Sequence, residues 1–167
     1  DRVEAFDFII IGGGSAGCVL ADKLSANGEH TVCLLEAGKA DKNWLIHLPI
    51  GIIALLQSHT LNWQFNSHQE KNLNNRKVFT PRGKTLGGSS SINAMLYVRG
   101  QQQDYDHWQN LGNAGWSFND VLPYFKALEH QERGADKFHG VNGALNVADS
   151  VSKPAVNEDF IQSAVAA

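Results

Sequence analysis

Apolar and polar positions alternate along this chain in blocks that change period several times. Phe6–Ile11 is a short apolar run with isoleucines at its end, the pattern of a buried strand. Ala16, Val19, Leu20 and Leu24 recur at helical spacing and predict an amphipathic helix that stops at Asn27-Gly28. Thr31–Glu36 is a second apolar run, again strand-like, so the first 40 residues predict β–α–β. Ala37–Gln57 reads as loop and short helix, Asn62–Ser67 alternates as a strand does, and the stretch from Asn74 suggests a turn followed by extended chain. The glycines end at Ser90, so a helix is expected to begin within Ser90–Tyr97. Trp116–Glu129 carries Val121, Leu122, Phe125 and Leu128 on one face, with Ser117 and Asp120 placed as a capping box. Lys153–Ala167 reads as a final helix with Pro154 near its first turn and Val156, Phe160, Ile161, Ala164 and Val165 on one face. The segments divide as a βαβ unit over 1–40, a lid or extended segment over 41–80, a loop and helices over 81–148, and a leading segment over 149–167.

Composition narrows the class without changing these elements. The chain has 167 residues, 43% hydrophobic and 19% charged, with a net charge of −3, which suits one soluble globular domain. The slight acidity gives no support for nucleic-acid binding, which wants a concentrated basic face, and the local cluster of Lys71, Arg76, Lys77, Arg82 and Lys84 reads as a solvated surface with one or two anion contacts. Cys18 and Cys33 each lie in an apolar run and read as small buried hydrophobes, not as a disulfide or metal pair. Trp44–Leu56 is the most apolar stretch, but it is too short for a bilayer and is interrupted by Pro49 and Gly51.

Gly12, Gly14 and Gly17 match G-x-G-x-x-G, a pattern that is weak alone and specific here because it lies between a predicted strand and a predicted helix. Gly12 permits the tight turn, Gly14 lets a diphosphate approach the backbone, and Gly17 lets helix and strand pack closely. The N–H groups at the helix start then face the anion. Glu36 ends the second strand and is placed to accept hydrogen bonds from the ribose hydroxyls of an adenosine. A structural βαβ turn without a ligand is the bland alternative, and the unit alone does not separate NAD from FAD.

Pro81–Gly100, PRGKTLGGSSSINAMLYVRG, is a second glycine-rich segment. A cofactor larger than the first loop accommodates would place its other end there. An isoalloxazine ring needs close backbone, small side chains and donors, which Gly87, Gly88 and the hydroxyls of Ser89, Ser90 and Ser91 offer. Asn93 can donate to a flavin carbonyl or to the diphosphate, and Arg82 and Lys84 can offset phosphate charge.

These residues resemble the first signature of the glucose–methanol–choline (GMC) oxidoreductases, a flavoenzyme family acting on alcohols. Gly83, Lys84, Leu86, Gly87, Gly88, Ser89, Ser90, Ile92, Asn93, Tyr97, Gly100 and Asp106 fill its constrained positions. DFIIIGGGSAGCVLADKLS, LLEAG, GNAGWSFNDVLPYFKALE and HGVNGAL extend the resemblance over nearly the whole chain, towards choline dehydrogenase-like and aliphatic alcohol dehydrogenase members. Ala144 stands where the last motif often has proline. The resemblance implies an α/β fold, an incomplete FAD-binding Rossmann-type sheet that lacks its later strands. It implies flavin contacts from Gly12, Gly14, Ser15, Ala16, Gly17, Glu36, Ala37, Trp63, Arg82, Gly83, Leu86, Gly87, Gly88, Ser91, Asn93, Ala94 and Met95. Some members carry the flavin covalently on a histidine where Ile92 stands, so non-covalent FAD is expected here.

What else the resemblance implies concerns the whole enzyme. A GMC enzyme is several times longer, with its catalytic histidine near the far C-terminus. None of His30, His47, His59, His68, His107, His130 and His139 lies in that context, so no catalytic residue is expected in this chain and structural roles are expected for all seven. The chain therefore reads as an N-terminal piece, inert by itself, of an enzyme that oxidises a primary alcohol, choline or aliphatic, to the aldehyde. Its partners would be the alcohol, the remaining C-terminal polypeptide and an electron acceptor, quinone or oxygen; no nucleic acid is among them. Choline would need an aromatic cage or a carboxylate, to which Trp44 and Trp63 are candidates, though packing is their plainer role. The expected location is cytoplasmic. Trp44–Leu56 would serve as a lid or, alternatively, as a peripheral contact with the inner membrane. Other readings are an NAD-dependent dehydrogenase fragment, a non-catalytic interaction module, or one chain of an assembly in which another supplies the rest.

Overall fold

A computed structural model describes residues 4–167 of the chain; the first three residues of the predicted 1–40 unit lie outside it. The chain divides between Leu96 and Tyr97 into two compact units.

In the first unit, strand β1 (Phe8–Ile11) pairs in parallel with β2 (Val32–Leu35), Phe8 opposite Val32 and Ile11 opposite Leu35. Helix α1 (Ser15–Ser25) joins them and gives way to Gly28, whose φ of +72° turns the chain back. Asp7 closes the open end of the unit: its Oδ2 accepts from Thr31 N (2.7 Å) and Thr31 Oγ1 (2.8 Å). The Thr31 N–H is the chief reason that the Asp7 carboxyl sits below its ordinary pKa. Gly17 fixes how closely helix and strand pack, since a Cβ there would stand 1.9 Å from the Gly12 carbonyl oxygen.

Both strands have the predicted type and place, but not the predicted burial. Only Ile10 of β1 is buried, and Ile11 is 87% exposed. Val19 and Leu20 of α1 are exposed too, and the two cysteines are free and half-buried. The physical reason is that β1 and β2 form a two-stranded sheet with one helix packed on it, whereas a parallel sheet buries its strands only when both faces and both edges are covered.

The apolar stretch forms two 3-10 turns, Trp44–His47 and Pro49–Gly51, and then α2 (Ile52–Gln57). Leu55 anchors it in the small core of this unit with Leu61 and Ile92, against which Leu45 and Ile46 pack. Strands β3 (Phe65–Asn66) and β4 (Phe79–Thr80) are antiparallel, and left-handed Asn74 and Asn75 turn the chain between them. The expected helix within Ser90–Tyr97 is absent. A 3-10 turn spans Gly88–Ser91, and the chain from Asn93 to Gly100 is irregular, with Met95 at a φ of +57° that no helix admits.

In the second unit, α3 (Gln102–Asn110) and α4 (Phe118–Leu128) each start with a reciprocal capping box, Gln101 with Asp104 and Ser117 with Asp120. Buried Tyr105 lies among Trp108, Phe118 and Phe125, with ring centroids 5.4, 6.2 and 5.6 Å away. Strands β5 (Glu129–Gln131) and β6 (Leu145–Val147) pair in parallel. Helix α5 (Ala155–Ala166) follows, and all of its side chains are exposed.

Glu129 is the polar centre of this unit and is fully buried. It accepts from Arg99 Nη2, from His139 Nδ1 (2.9 Å) and from Gly140 N (3.2 Å), while Arg99 also donates to Phe138 O (2.6 Å) and Tyr97 Oη (3.1 Å). Burial pushes the Glu129 pKa up, but the donors from His139, Gly140 and Arg99 outweigh it and hold the carboxyl below its ordinary value.

Candidate functional site: a cleft between two glycine-rich loops

The turn after β1 is made by Gly12, at a φ of +100°, whose N–H donates to Leu35 O (2.8 Å). Gly14 precedes α1 without a side-chain cap, and no acidic residue occupies the first helical turn. The leading N–H groups of α1 thus face outward with their partial positive charge uncompensated, the arrangement that suits an anion.

The second loop is laced onto the first by hydrogen bonds that span long stretches of sequence. Gly87 N donates to Gly13 O (2.7 Å), and the hydroxyls of Ser15 and Ser90 bond to each other. Leu86 N donates to Lys39 O (2.9 Å), and fully buried Thr85 donates its Oγ1 to the same carbonyl (2.8 Å). Gly88 takes a φ of +56°. Two of the three serines serve the loop itself and one joins it to the first: Ser89 Oγ accepts from Gly83 N (3.2 Å) and Ser91 donates to Leu86 O (2.8 Å), while Ser90 meets Ser15. Asn93 accepts from Met95 N through Oδ1 (2.9 Å), and its Nδ2 has no protein partner among the described residues.

Between the loops lies a cleft of about 960 Å³. It brings together Gly12, Gly14, Ser15, Ala16, Gly17, Glu36, Ala37, Trp63, Arg82, Gly83 and Gly88 of the expected residues. Leu86 and Gly87 stand behind it against Gly13. Ser91, Asn93 and Met95 line a small adjacent cavity of about 30 Å³ with Ile46 and Leu48, and Ala94 is exposed between the last two. Ser89, expected to offer a hydroxyl, lines the cleft as well, and so do Ile10, Ile11, Leu20, Leu35 and Phe65, which were not foreseen.

Glu36 is held in place at one end. Its Oε2 accepts from Gly13 N (2.7 Å) and its Oε1 from Gly38 N (2.8 Å). Each carboxylate oxygen keeps a second lone pair, so the group is aimed and still able to accept two hydroxyls. Elsewhere in the same cleft Trp63 and Phe65 stack with centroids 5.8 Å apart and planes 9° from parallel, and Lys84 Nζ lies 4.3 Å from the Trp63 ring centroid. Asn62, almost fully buried, braces this wall and was missed in the sequence because it belongs to no motif; so was Thr85. No group of three or more metal-ligating side chains occurs among the described residues.

A strand–glycine-turn–helix unit ending in a fixed carboxylate, with a second glycine loop laced across it, defines a dinucleotide-binding protein. The sequence matches the GMC oxidoreductase family over residues 6–167, and the chain belongs to that family. It is 48% identical over 163 residues to an alcohol dehydrogenase (acceptor) of Pseudomonas putida, covering 97% of this chain and 30% of that protein. It is 43% identical over 157 residues to an oxygen-dependent choline dehydrogenase of Rhizobium rhizogenes, covering 94% and 29%. The crystal structure of pyridoxine 4-oxidase from Mesorbium loti superposes with a TM-score of 0.86 at 33% identity, covering 97% of this chain and 32% of that one. The chain thus spans about a third of the length of the relatives it matches. No described helix is long and apolar enough to cross a membrane.

Proposed function

We propose that this chain is the FAD-holding part of an enzyme that oxidises a primary alcohol, aliphatic or choline, to the aldehyde. The observation that carries this reading is the empty space in front of Gly14. A Cβ built there meets nothing nearer than Gly88 Cα at 3.9 Å, yet it would stand in the cleft between the two loops and the start of α1. That is the space a diphosphate needs, with uncapped helix N–H groups behind it. Glu36 would take the adenosine ribose, and the flavin end would run towards Asn93, whose Nδ2 is a donor without a partner among the described residues.

Bound there, FAD would supply a two-electron acceptor, the carbinol hydride passing to N5 of its ring. This chain's own residues bind, orient and exclude: the glycines admit the diphosphate, Glu36 fixes the ribose, and Trp63, Phe65 and Arg82 wall the cleft. The base that removes the hydroxyl proton is assigned to the part of the relatives that this chain does not span, which makes the isolated chain inert. Attachment would be non-covalent. Ile92 has no nucleophile and is buried with Leu55 and Leu61, turned into the core.

The test is purification of the full-length enzyme, release of the yellow cofactor with acid, and anaerobic addition of primary alcohols. Free FAD in the acid supernatant and bleaching by alcohol are the expected results. A colourless protein that turns over with NAD overturns the reading, and flavin that stays with the precipitated polypeptide overturns its non-covalent attachment.

A further inference from the structure

Asn62 lies behind the cleft and is only 2% exposed. Its amide spends both acceptor lone pairs on two different segments of backbone. Oδ1 accepts from Gln64 N (2.9 Å) and from Arg82 N (3.0 Å), while Nδ2 donates to Leu56 O (2.9 Å) at the end of α2. One side chain thereby ties the segment carrying Trp63 and Phe65 to the one carrying Arg82 and Gly83. The backbone agrees, since Trp63 N donates to Arg82 O (2.8 Å) and Asn62 pairs with Gly83.

The bond to Gln64 has a specific local effect. Gln64 sits at a φ of +52°, a left-handed conformation that a glutamine adopts only when something holds it. An acceptor two residues earlier is such a holder. With Gln64 turned this way, the Trp63 and Phe65 rings stack in parallel on the cleft. Both walls that Asn62 ties together stand in the same cleft as Glu36, whose fixed carboxylate marks the ribose end.

We infer that Asn62 is a positioning residue for the nucleotide half of the cofactor, setting the aromatic wall and the Arg82 wall to the width of an adenosine without touching it. The inference rests on the FAD reading above. Loss of the acceptor leaves two backbone N–H groups without a partner behind the walls, and the walls then relax independently. The half of the cofactor that binds towards Asn93 would not sense this.

The experiment uses the full-length enzyme stripped of cofactor and titrated separately with FAD, ADP and FMN, with a thermal melt of each apoprotein. Asn62→Leu is expected to weaken FAD and ADP about tenfold and FMN by less than about twofold. Asn62→Asp keeps the acceptors and is expected to restore most of the ADP affinity, even with a lower melting temperature. Should Asn62→Leu not fold, Asn62→Ser, a smaller lesion at the same position, is compared across the same three ligands. Equal weakening of all three ligands, or a lower melting temperature with every affinity unchanged, overturns the inference and leaves the FAD reading intact. A wild-type apoprotein that binds neither FAD nor ADP overturns the FAD reading itself.

Discussion

Gly88 stands against Gly14 so closely that a Cβ on Gly88 would lie 2.7 Å from the Gly14 Cα, whereas a Cβ on Gly14 would meet nothing nearer than the Gly88 Cα, at 3.9 Å. The two glycines are needed for different reasons, one by the fold and one by the ligand. Gly14→Ala in the full-length enzyme should therefore melt within about 2 °C of wild type and yet purify with little flavin. Gly88→Ala and Gly17→Ala should lower the melting temperature by more than that, the first because its left-handed backbone and its neighbour both resist a side chain. Normal flavin content in Gly14→Ala would show that the diphosphate lies elsewhere.

Glu36 yields a second prediction because both of its oxygens already accept backbone N–H groups, from Gly13 and Gly38. Glu36→Gln presents an NH2 to one of them, setting donor against donor at a cost of about 1–2 kcal/mol. The glutamine variant should lose at least as much FAD affinity as Glu36→Ala, while FMN affinity changes little in either. Titration of the apoenzyme with both flavins decides it, and wild-type FAD affinity in Glu36→Gln would remove Glu36 from the site.

Periodicity explains what was legible in the sequence. β1, α1, β2 and the capped helix α4 follow from runs of 4 to 11 residues whose spacing is local, and the glycine fingerprint lies inside one such unit. Arg82 was legible as a cation near a glycine-rich loop, whereas Trp63 and Gly83 were legible only through the family resemblance. Asn62 and Thr85 were legible by neither route. Their importance comes from backbone groups 20 and 46 residues away, and an isolated asparagine or threonine carries no pattern. The helix expected within Ser90–Tyr97 failed for a related reason: the serines spend their hydroxyls on the loop, and Asn93 bonds to Met95 N across a left-handed turn. Burial of Ile11 was misjudged because an apolar strand signals that it will be covered, not by what.

The buried ion pair of the second unit gives a pH prediction. Glu129 sits below its ordinary pKa in the folded chain, so its stabilising contribution is present above the ordinary carboxylate range and is lost as pH falls through the folded value. Asp7, Asp136 and Asp149 are depressed as well and titrate in the same direction, so a variant is needed to isolate Glu129. The melting temperature of the wild type should hold from neutral pH down to about 5 and fall below it, and Glu129→Gln should flatten that fall. Arg99→Met removes the carboxylate's cation while leaving it the His139 and Gly140 donors, and should cost up to about 3 kcal/mol at neutral pH. Identical acid limbs for wild type and Glu129→Gln would refute the assignment.

The apolar stretch invites a partition measurement. Ile50 and Ile53 are 75% and 67% exposed, outside the core that Leu55 anchors. If they form a lid packed on the remainder of the enzyme, Ile50→Ser with Ile53→Ser should reduce activity or stability without moving the full-length protein between membrane and soluble fractions. Release from the membrane fraction with activity intact would favour the peripheral membrane contact instead.

The lacing of the two loops sets an order of events in time. Glu36 meets Gly13 across 23 residues, Thr85 meets Lys39 across 46, and Ser15 meets Ser90 across 75. Closing a longer loop costs more chain entropy, and contacts distant in sequence form late. The βαβ unit can therefore be complete, with its carboxylate already aimed, while Gly83–Ser91 is still unattached.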